Sequence, residues 1–211
     1  MIKGIKHIVF DFGGVLLNID YTLTEQAFIA LGITQFSRLY SQLQQDNMFD
    51  ELETGSIQTT AFCDTLRKLA GMPLEDQDII RAWNAMLLNL PLRRLQLLEQ
   101  LKHHYDLVLL SNTNEIHEEA FTRIIYDEHK TSIAAFFDRV YFSHRVGMRK
   151  PDKEIFERVL QENHFLPEHT LFIDDSPQHI EGAKKLGIQT LYLEKGMTIE
   201  EHVFRSKTNN D

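Results

Sequence analysis

Five short apolar runs, most of them separated by helical patterns, constrain this chain more than any other feature. Ile5 to Phe10 is rich in β-branched and aromatic residues and reads as a buried strand. Leu107 to Leu110, Val140 to Phe142, Leu171 to Ile173 and Thr190 to Leu193 resemble it. Leu92 to His104 carries apolar residues at 95, 97, 98 and 101. Ile155, Phe156, Val159 and Leu160 share one helical face, and Ile180, Ala183, Lys184 and Leu186 another, with Gly187 as its C-cap. Strands alternating with helices predict an α/β fold: a doubly wound parallel sheet with a Rossmann-like core.

From about Asn18 to Leu90 this rhythm stops. Helical patterns run over Leu23 to Leu31, Phe36 to Gln44, Thr59 to Leu69 and Asp76 to Leu88, with no clear strand among them. Gly32, Glu53-Thr54-Gly55-Ser56 and Gly71-Met72-Pro73 punctuate them. The expected organisation is a core of residues 1–17 and 91–211, with an all-helical insertion at 18–90 after the first strand. Ser206 to Asp211 is polar and reads as a frayed end.

The net charge of −9 disfavours nucleic acid and anionic membranes, and no basic run offsets it. One cysteine, Cys63, excludes an internal disulfide and reads as core. No apolar run approaches the ~18 residues needed to span a bilayer. Two lysines precede an apolar run that Asp11 soon interrupts, which is not the layout of a signal peptide. The cytoplasm is the expected location, and a monomer or homodimer the expected assembly.

In an open α/β sheet, ligands bind beyond the carboxyl ends of the strands. Asp11, Phe12, Gly13 and Gly14 follow the first run, and Ser111, Asn112, Thr113 and Asn114 the second. Gly147-Met148-Arg149-Lys150-Pro151-Asp152 comes a few residues after the third, and Asp174-Asp175-Ser176-Pro177 after the fourth. Three carboxylates at one edge repel, and burial raises their pKa values unless a cation joins them. Mg²⁺ shared with a substrate phosphate is the common solution. Ser111 can donate to a phosphate oxygen, and Lys150 can offset phosphate charge. The two glycines let backbone approach a ligand. Ser176-Pro177 reads as a helix start, with Ser at the N-cap and Pro at N1.

The pieces DFGGV, LLSNTN, GMRKPD and FIDDS, in that order, resemble the haloacid dehalogenase-like hydrolase superfamily, and the insertion resembles its helical cap. The wording is most similar to the branch that acts on α-D-glucose 1-phosphate. The resemblance implies an enzyme, a Mg²⁺-dependent phosphatase of a small phosphorylated metabolite, with a sugar phosphate as the expected substrate. It implies Asp11 as nucleophile, forming an aspartyl phosphate, and Lys150 tying Asp11 to the phosphate. Phe12, Gly13, Ser111 and Asn112 would join Lys150 in binding phosphate. Asp11, the Gly13 carbonyl, Asp175 and, nearby or through water, Asp174 would hold the metal.

Gly13 departs from that pattern, because many phosphatases of the superfamily carry a second Asp there as general acid and base. Such a group contributes typically ~10²–10⁴-fold, so its loss need not abolish turnover. Asn18, Asp20, Glu115 or His117 could replace it. Alternatively the leaving group needs little protonation, as in an anomeric phosphate, or the protein binds phosphate compounds without turning them over. A true haloacid dehalogenase would have little use for Asp174-Asp175. The histidines are scattered and form no metal motif, with His103 and His104 ending a helix. Trp83, Met86 and Phe49 read as core of the insertion, and Arg149 as facing solvent or an acid.

Overall fold

The structure is a computed structural model and describes residues 1–38, 40 and 47–204. The apolar runs form one five-stranded parallel sheet: β1 (His7–Phe10), β2 (Asp106–Ser111), β3 (Arg139–Phe142), β4 (Thr170–Asp174) and β5 (Gln189–Tyr192), in the order β3-β2-β1-β4-β5. β1 is central and reads in register with both neighbours, Phe10 lying opposite Leu109 and Ile173.

The near-continuous hydrophobicity of these strands has a direct cause. Ile8, Phe10, Leu107, Leu109, Leu171 and Ile173 pack into one buried cluster, and Val9, Val108, Leu110 and Phe172 into another. Side chains alternate across a strand, so a strand covered on both faces has no polar side. The first face is covered by α5 (Leu92–Lys102) and α6 (Glu115–His129), through Leu98, Leu101, Phe121 and Ile125. The second is covered by α8 (Lys153–Asn163) and α9 (Pro177–Lys184), through Phe156, Val159, Ile180 and Ala183. This is the doubly wound arrangement expected from the alternation.

Between β1 and α5 lie the helices α1 (Tyr21–Ala30), α2 (Met48–Glu53), α3 (Thr59–Ala70) and α4 (Asp76–Asn84). They build a separate cluster around Phe28, Phe62, Leu66, Ile79 and Trp83, with Cys63 buried inside it. The chain enters and leaves this insertion along two antiparallel stretches. Asn18 N donates to Asn89 O (3.0 Å), Leu88 N to Asn18 O (3.0 Å) and Asp20 N to Met86 O (2.9 Å). Arg94 is buried behind them, donating to Leu16 O (2.7 Å) and Asn18 Oδ1 (3.0 Å) and pairing with Glu200.

Boundaries moved by a few residues. The helix expected at Asp76 to Leu88 ends at Asn84, where the chain turns toward its exit stretch, and the one expected to reach His104 ends at Lys102 with His103 as C-cap. Three of the described helices carried no expectation: α2, α6, which is 15 residues long, and the four-residue α7 (Ser143–Val146). Asn114 accepts a bond from His117 N and so caps α6, a helix-start signal inside a stretch that reads first as a ligand loop. The helical expectation at Phe36 to Gln44 falls largely outside the described residues, as does that for Ser206 to Asp211. Among the described residues, no helix is long and apolar enough to cross a membrane.

Candidate active site

The central strand puts Asp11 beside Asp174, because Asp11 N donates to Ile173 O (2.9 Å) and so extends the pairing of β1 with β4. Lys150 arrives from the loop after α7 (Ser143–Val146). Its ammonium is fully buried and donates to Asp11 Oδ1 (2.5 Å), Asp174 Oδ2 (2.7 Å) and Leu110 O (3.0 Å). An ammonium has three donors, and all are used. Asn112 holds the backbone that carries it: Asn112 Nδ2 donates to Lys150 O and Lys150 N to Asn112 Oδ1, both at 2.9 Å.

The acidic pair at the end of β4 splits in role. Asp174 is fully buried, and both its oxygens are occupied. Oδ1 accepts from Ser176 N (2.7 Å), Oδ2 from Lys150, and the His179 ring lies 3.0 Å from each. Asp175 is exposed. Oxygens of Asp11, Asp174 and Asp175 lie within 4.8 Å of one another. Ser176 does sit at the N-cap of α9, with Pro177 inside the first turn, but its hydroxyl makes no cap bond. Asp174 accepts from the Ser176 amide instead.

These carboxylates do not share one electrostatic state. Burial pushes the Asp11 pKa up to about 7; Lys150 works against this, while Asp174 and Asp175 add to it. Burial also penalises the Asp174 charge, but Lys150 and His179 outweigh it and hold that carboxyl below its usual range. Lys150 pays the same burial penalty, and Asp11 and Asp174 more than offset it, so its pKa stands above the ordinary lysine value. The result is one ammonium against three carboxylates that converge through hard oxygens. That excess of negative charge fits a divalent cation of the Mg²⁺ type.

The glycines divide the work differently from expectation. Gly14, at φ +80, has the positive dihedral, and a Cβ there would run into Asp175 Oδ2. Gly13 needs no special backbone: a Cβ would meet Ile19 Cδ1 at 3.4 Å, so Ile19 fills the space beside it. Phe12 turns its ring into the core against Phe121 (centroids 4.8 Å apart), which leaves only its backbone for a ligand. Ser111 is buried at the end of β2, and its hydroxyl reaches Asn112 O at 3.4 Å.

A cavity of about 480 Å³ opens between this edge and the insertion. Asn112, Thr113, Asn114 and His117 line it from one side, and Thr24, Glu25, Phe49, Glu53, Trp83 and Met86 from the other. Trp83, Met86 and Phe49 are thus core and cavity wall at once. Arg149 faces acids, as expected, pairing with Asp50 (2.6 Å) and Glu53 (2.8 Å) of α2. Gly55, at φ +69, passes so close to His144 that a Cβ would lie 2.5 Å from its carbonyl oxygen. The loop after α2 therefore rests directly on the sheet-bearing part.

The proposed substitutes for a residue-13 acid have other partners. Asn18 is held by Arg94 and Asn89, and Asp20 caps α1 through Thr22. Glu115 accepts from Thr59, and His117 contacts Asn84 Oδ1 (2.8 Å). Among the described residues, none of them hydrogen-bonds to Asp11, Lys150 or the acidic pair. His179, Glu53 and Glu25 were not anticipated. His179 had a signal, an Asp-Asp-Ser-Pro turn that starts a helix and folds its first turn back over Asp174. Glu25 and Glu53 had none, since they come from separate helices.

Residues 5–187 match the haloacid dehalogenase-like hydrolase family. The chain belongs to that family. It is 34% identical over 192 residues to a D-ribitol-5-phosphate phosphatase of Bacteroides thetaiotaomicron, covering 91% of this chain and 93% of the relative. It superposes with a TM-score of 0.86 on a HAD family enzyme of the same species solved with magnesium and inorganic phosphate, at 34% identity, covering 95% of this chain and 100% of that one. A predicted HAD-like family hydrolase of Porphyromonas gingivalis gives a TM-score of 0.81 at 30% identity, covering 91% and 92%. This family member thus has the fold, the hydrolase class and the acidic edge read from its sequence.

Proposed function

We propose that this hydrolase is a Mg²⁺-dependent phosphatase of a small phosphorylated polyol or sugar, working through an aspartyl phosphate on Asp11. The observation that carries this reading is Lys150, buried between Asp11 and Asp174 with Asp175 within reach. An Asp11 oxygen attacks phosphorus, the P–O bond to the alcohol breaks, and water then hydrolyses the acyl phosphate. Lys150 favours the ionised form of Asp11 and orients it, and Ser111 and the Asn112 backbone would face the transferred group's oxygens. Asp11, Asp175 and the Gly13 carbonyl would hold the ion, with Asp174 behind them because its own oxygens are already engaged. When bound there, Mg²⁺ neutralises the carboxylates and the phosphoryl oxygens. Residues 18–90 form the cap that covers the site and excludes water during transfer.

The relatives support the metal and the substrate class. Ribitol 5-phosphate is an ester of a primary alcohol, so the support moves away from an anomeric phosphate. A primary alkoxide needs a proton as it leaves. With no side chain at Gly13, that proton has to come from water or from another residue. The test is phosphate release from D-ribitol 5-phosphate, α-D-glucose 1-phosphate, glucose 6-phosphate and p-nitrophenyl phosphate, with Mg²⁺ or with EDTA. Release should require Mg²⁺ and fall by about 10⁴-fold or more in Asp11→Asn. Folded wild type that binds Mg²⁺ but releases no phosphate from any ester would instead indicate a phosphate-binding protein.

A further inference from the structure

The cavity beside the carboxylate edge has a one-sided charge. Its walls carry two carboxylates, Glu25 and Glu53, and neither lysine nor arginine. Residues 39 and 41–46, next in sequence to part of the wall, contain neither as well. Arg38 follows the wall residue Ser37 but lines a separate cavity with Gly32 and Met72. Lys150 is closed in between Asp11 and Asp174, and Arg149 bridges Asp50 and Glu53. Glu53 therefore has its counter-charge. Glu25 does not: it accepts from the Ser37 hydroxyl (2.9 Å) and forms no ion pair among the described residues.

The cavity adjoins that edge through Asn112, which bonds the Lys150 backbone, and Tyr21, whose phenol feels the charges of Asp175 and Asp11, so a phosphate ester with its phosphorus at Asp11 can lay its remaining atoms there. Hydroxyl groups there would find acceptors in Glu25 and in the Asn112 and Asn114 side of the wall, while Phe49 and Trp83 offer apolar faces to carbon. A carboxylate or second phosphate would find Glu25 and no cation. Like charges a few ångströms apart in a partly enclosed site repel strongly enough to decide between otherwise equal ligands.

Resting on the phosphatase reading above, we infer that the cavity accepts esters whose phosphate-free part is neutral and polyhydroxylated, rejects those bearing a second anion, and owes that choice to Glu25. The measurement is kcat/KM for D-ribitol 5-phosphate against 5-phospho-D-ribonate, which differ only in a terminal CH₂OH or carboxylate, for wild type and Glu25→Gln. Wild type should favour the ribitol ester by at least about tenfold. Glu25→Gln should narrow the ratio several-fold, mainly by improving the ribonate ester. Equal rates in wild type, or a ratio unmoved by Glu25→Gln, overturn the inference. Choline phosphate outperforming both esters overturns it too, since the cavity would then select a cation.

Failure of the phosphatase reading itself is distinguishable. If wild type also leaves p-nitrophenyl phosphate intact, titration calorimetry of the two esters into Mg²⁺-loaded wild type reads the charge preference directly. Tighter binding of the ribitol ester upholds the inference, and equal or reversed affinities overturn it.

Discussion

The sheet edge and the helical wall face each other across one cavity and are built in opposite ways. At the edge, Lys150 and Asp174 are buried and fully partnered: Lys150 spends all three donors, and Asp174 uses both oxygens. On the wall, aromatic rings lean on one another, Tyr40 on Phe49 (4.6 Å), Phe49 on Trp83 (5.4 Å) and Trp83 on His117 (5.3 Å), with carboxylates at the margin. Phosphoryl transfer needs charges fixed before the reaction begins, and strand ends in register provide that. Recognition of the rest of a substrate needs shape and a few polar atoms, and a helical layer supplies these while tolerating change. One half of the site is therefore a network that fails as a unit. The other is a surface whose parts can be exchanged singly.

The sharpest way to break that comparison is Lys150→Met. It leaves Asp11 and Asp174 buried with no counter-charge, and removing one partner of a buried ion pair costs about 3–5 kcal/mol. The variant should lose that much stability in urea denaturation without metal, recover part of it with Mg²⁺, and show little turnover. A Lys150→Met protein as stable as wild type in EDTA would mean that the edge is not a single network.

The seam between the two halves should give a smaller effect, one that depends on pH. His117 comes from the sheet-bearing part, stacks on Trp83 of the insertion, and is held by burial at a pKa of about 3, well below the usual value near 6.5. Below pH 6.5 the unfolded chain takes a proton at this position and the folded one does not. Folding stability therefore falls as pH drops from 6.5 toward 3, and the contribution is whole above 6.5. His117→Phe keeps a ring against Trp83 and removes the titration. Between pH 6.5 and 4.5, wild type should lose roughly 2 kcal/mol more than His117→Phe in parallel urea titrations. Parallel stability curves for the two proteins would show that His117 is protonated in place.

The same contrast explains what could be read from the sequence. Asp11, Ser111, Lys150 and Asp174 each come after an apolar run, and parallel strands bring such positions to one edge, so short local words mark the candidate residues. The wall has no such words. Glu25, Glu53, Trp83 and Asn114 are neighbours only because helices pack. Each looks alone like an ordinary helix or loop residue, and Trp83 read as simple core. α6 went unseen for a related reason. Its cap, Asn114, stands in a run that already had a functional reading, and its long charged helix buries few apolar residues, Ile116, Phe121 and Ile125 among them. Two adjacent glycines do not show in sequence which one takes the positive φ, and that one is Gly14.

The two glycines supply the smallest and most local test. At Gly14 an added methyl meets a positive φ, where an L-residue costs roughly 1–2 kcal/mol, and it also displaces the Asp175 carboxylate. At Gly13 it meets only the tip of Ile19 at an ordinary contact distance. Gly14→Ala should therefore raise the Mg²⁺ concentration for half-maximal activity by about tenfold or more, as misplacing a supporting group around a metal does. Gly13→Ala should leave that concentration within about twofold, because neither its backbone nor any carboxylate has to move. Mg²⁺ titrations of phosphate release for the two variants read this directly. An equal shift in both would place the metal's dependence on the whole loop after β1, and not on the close approach of Gly14 to Asp175.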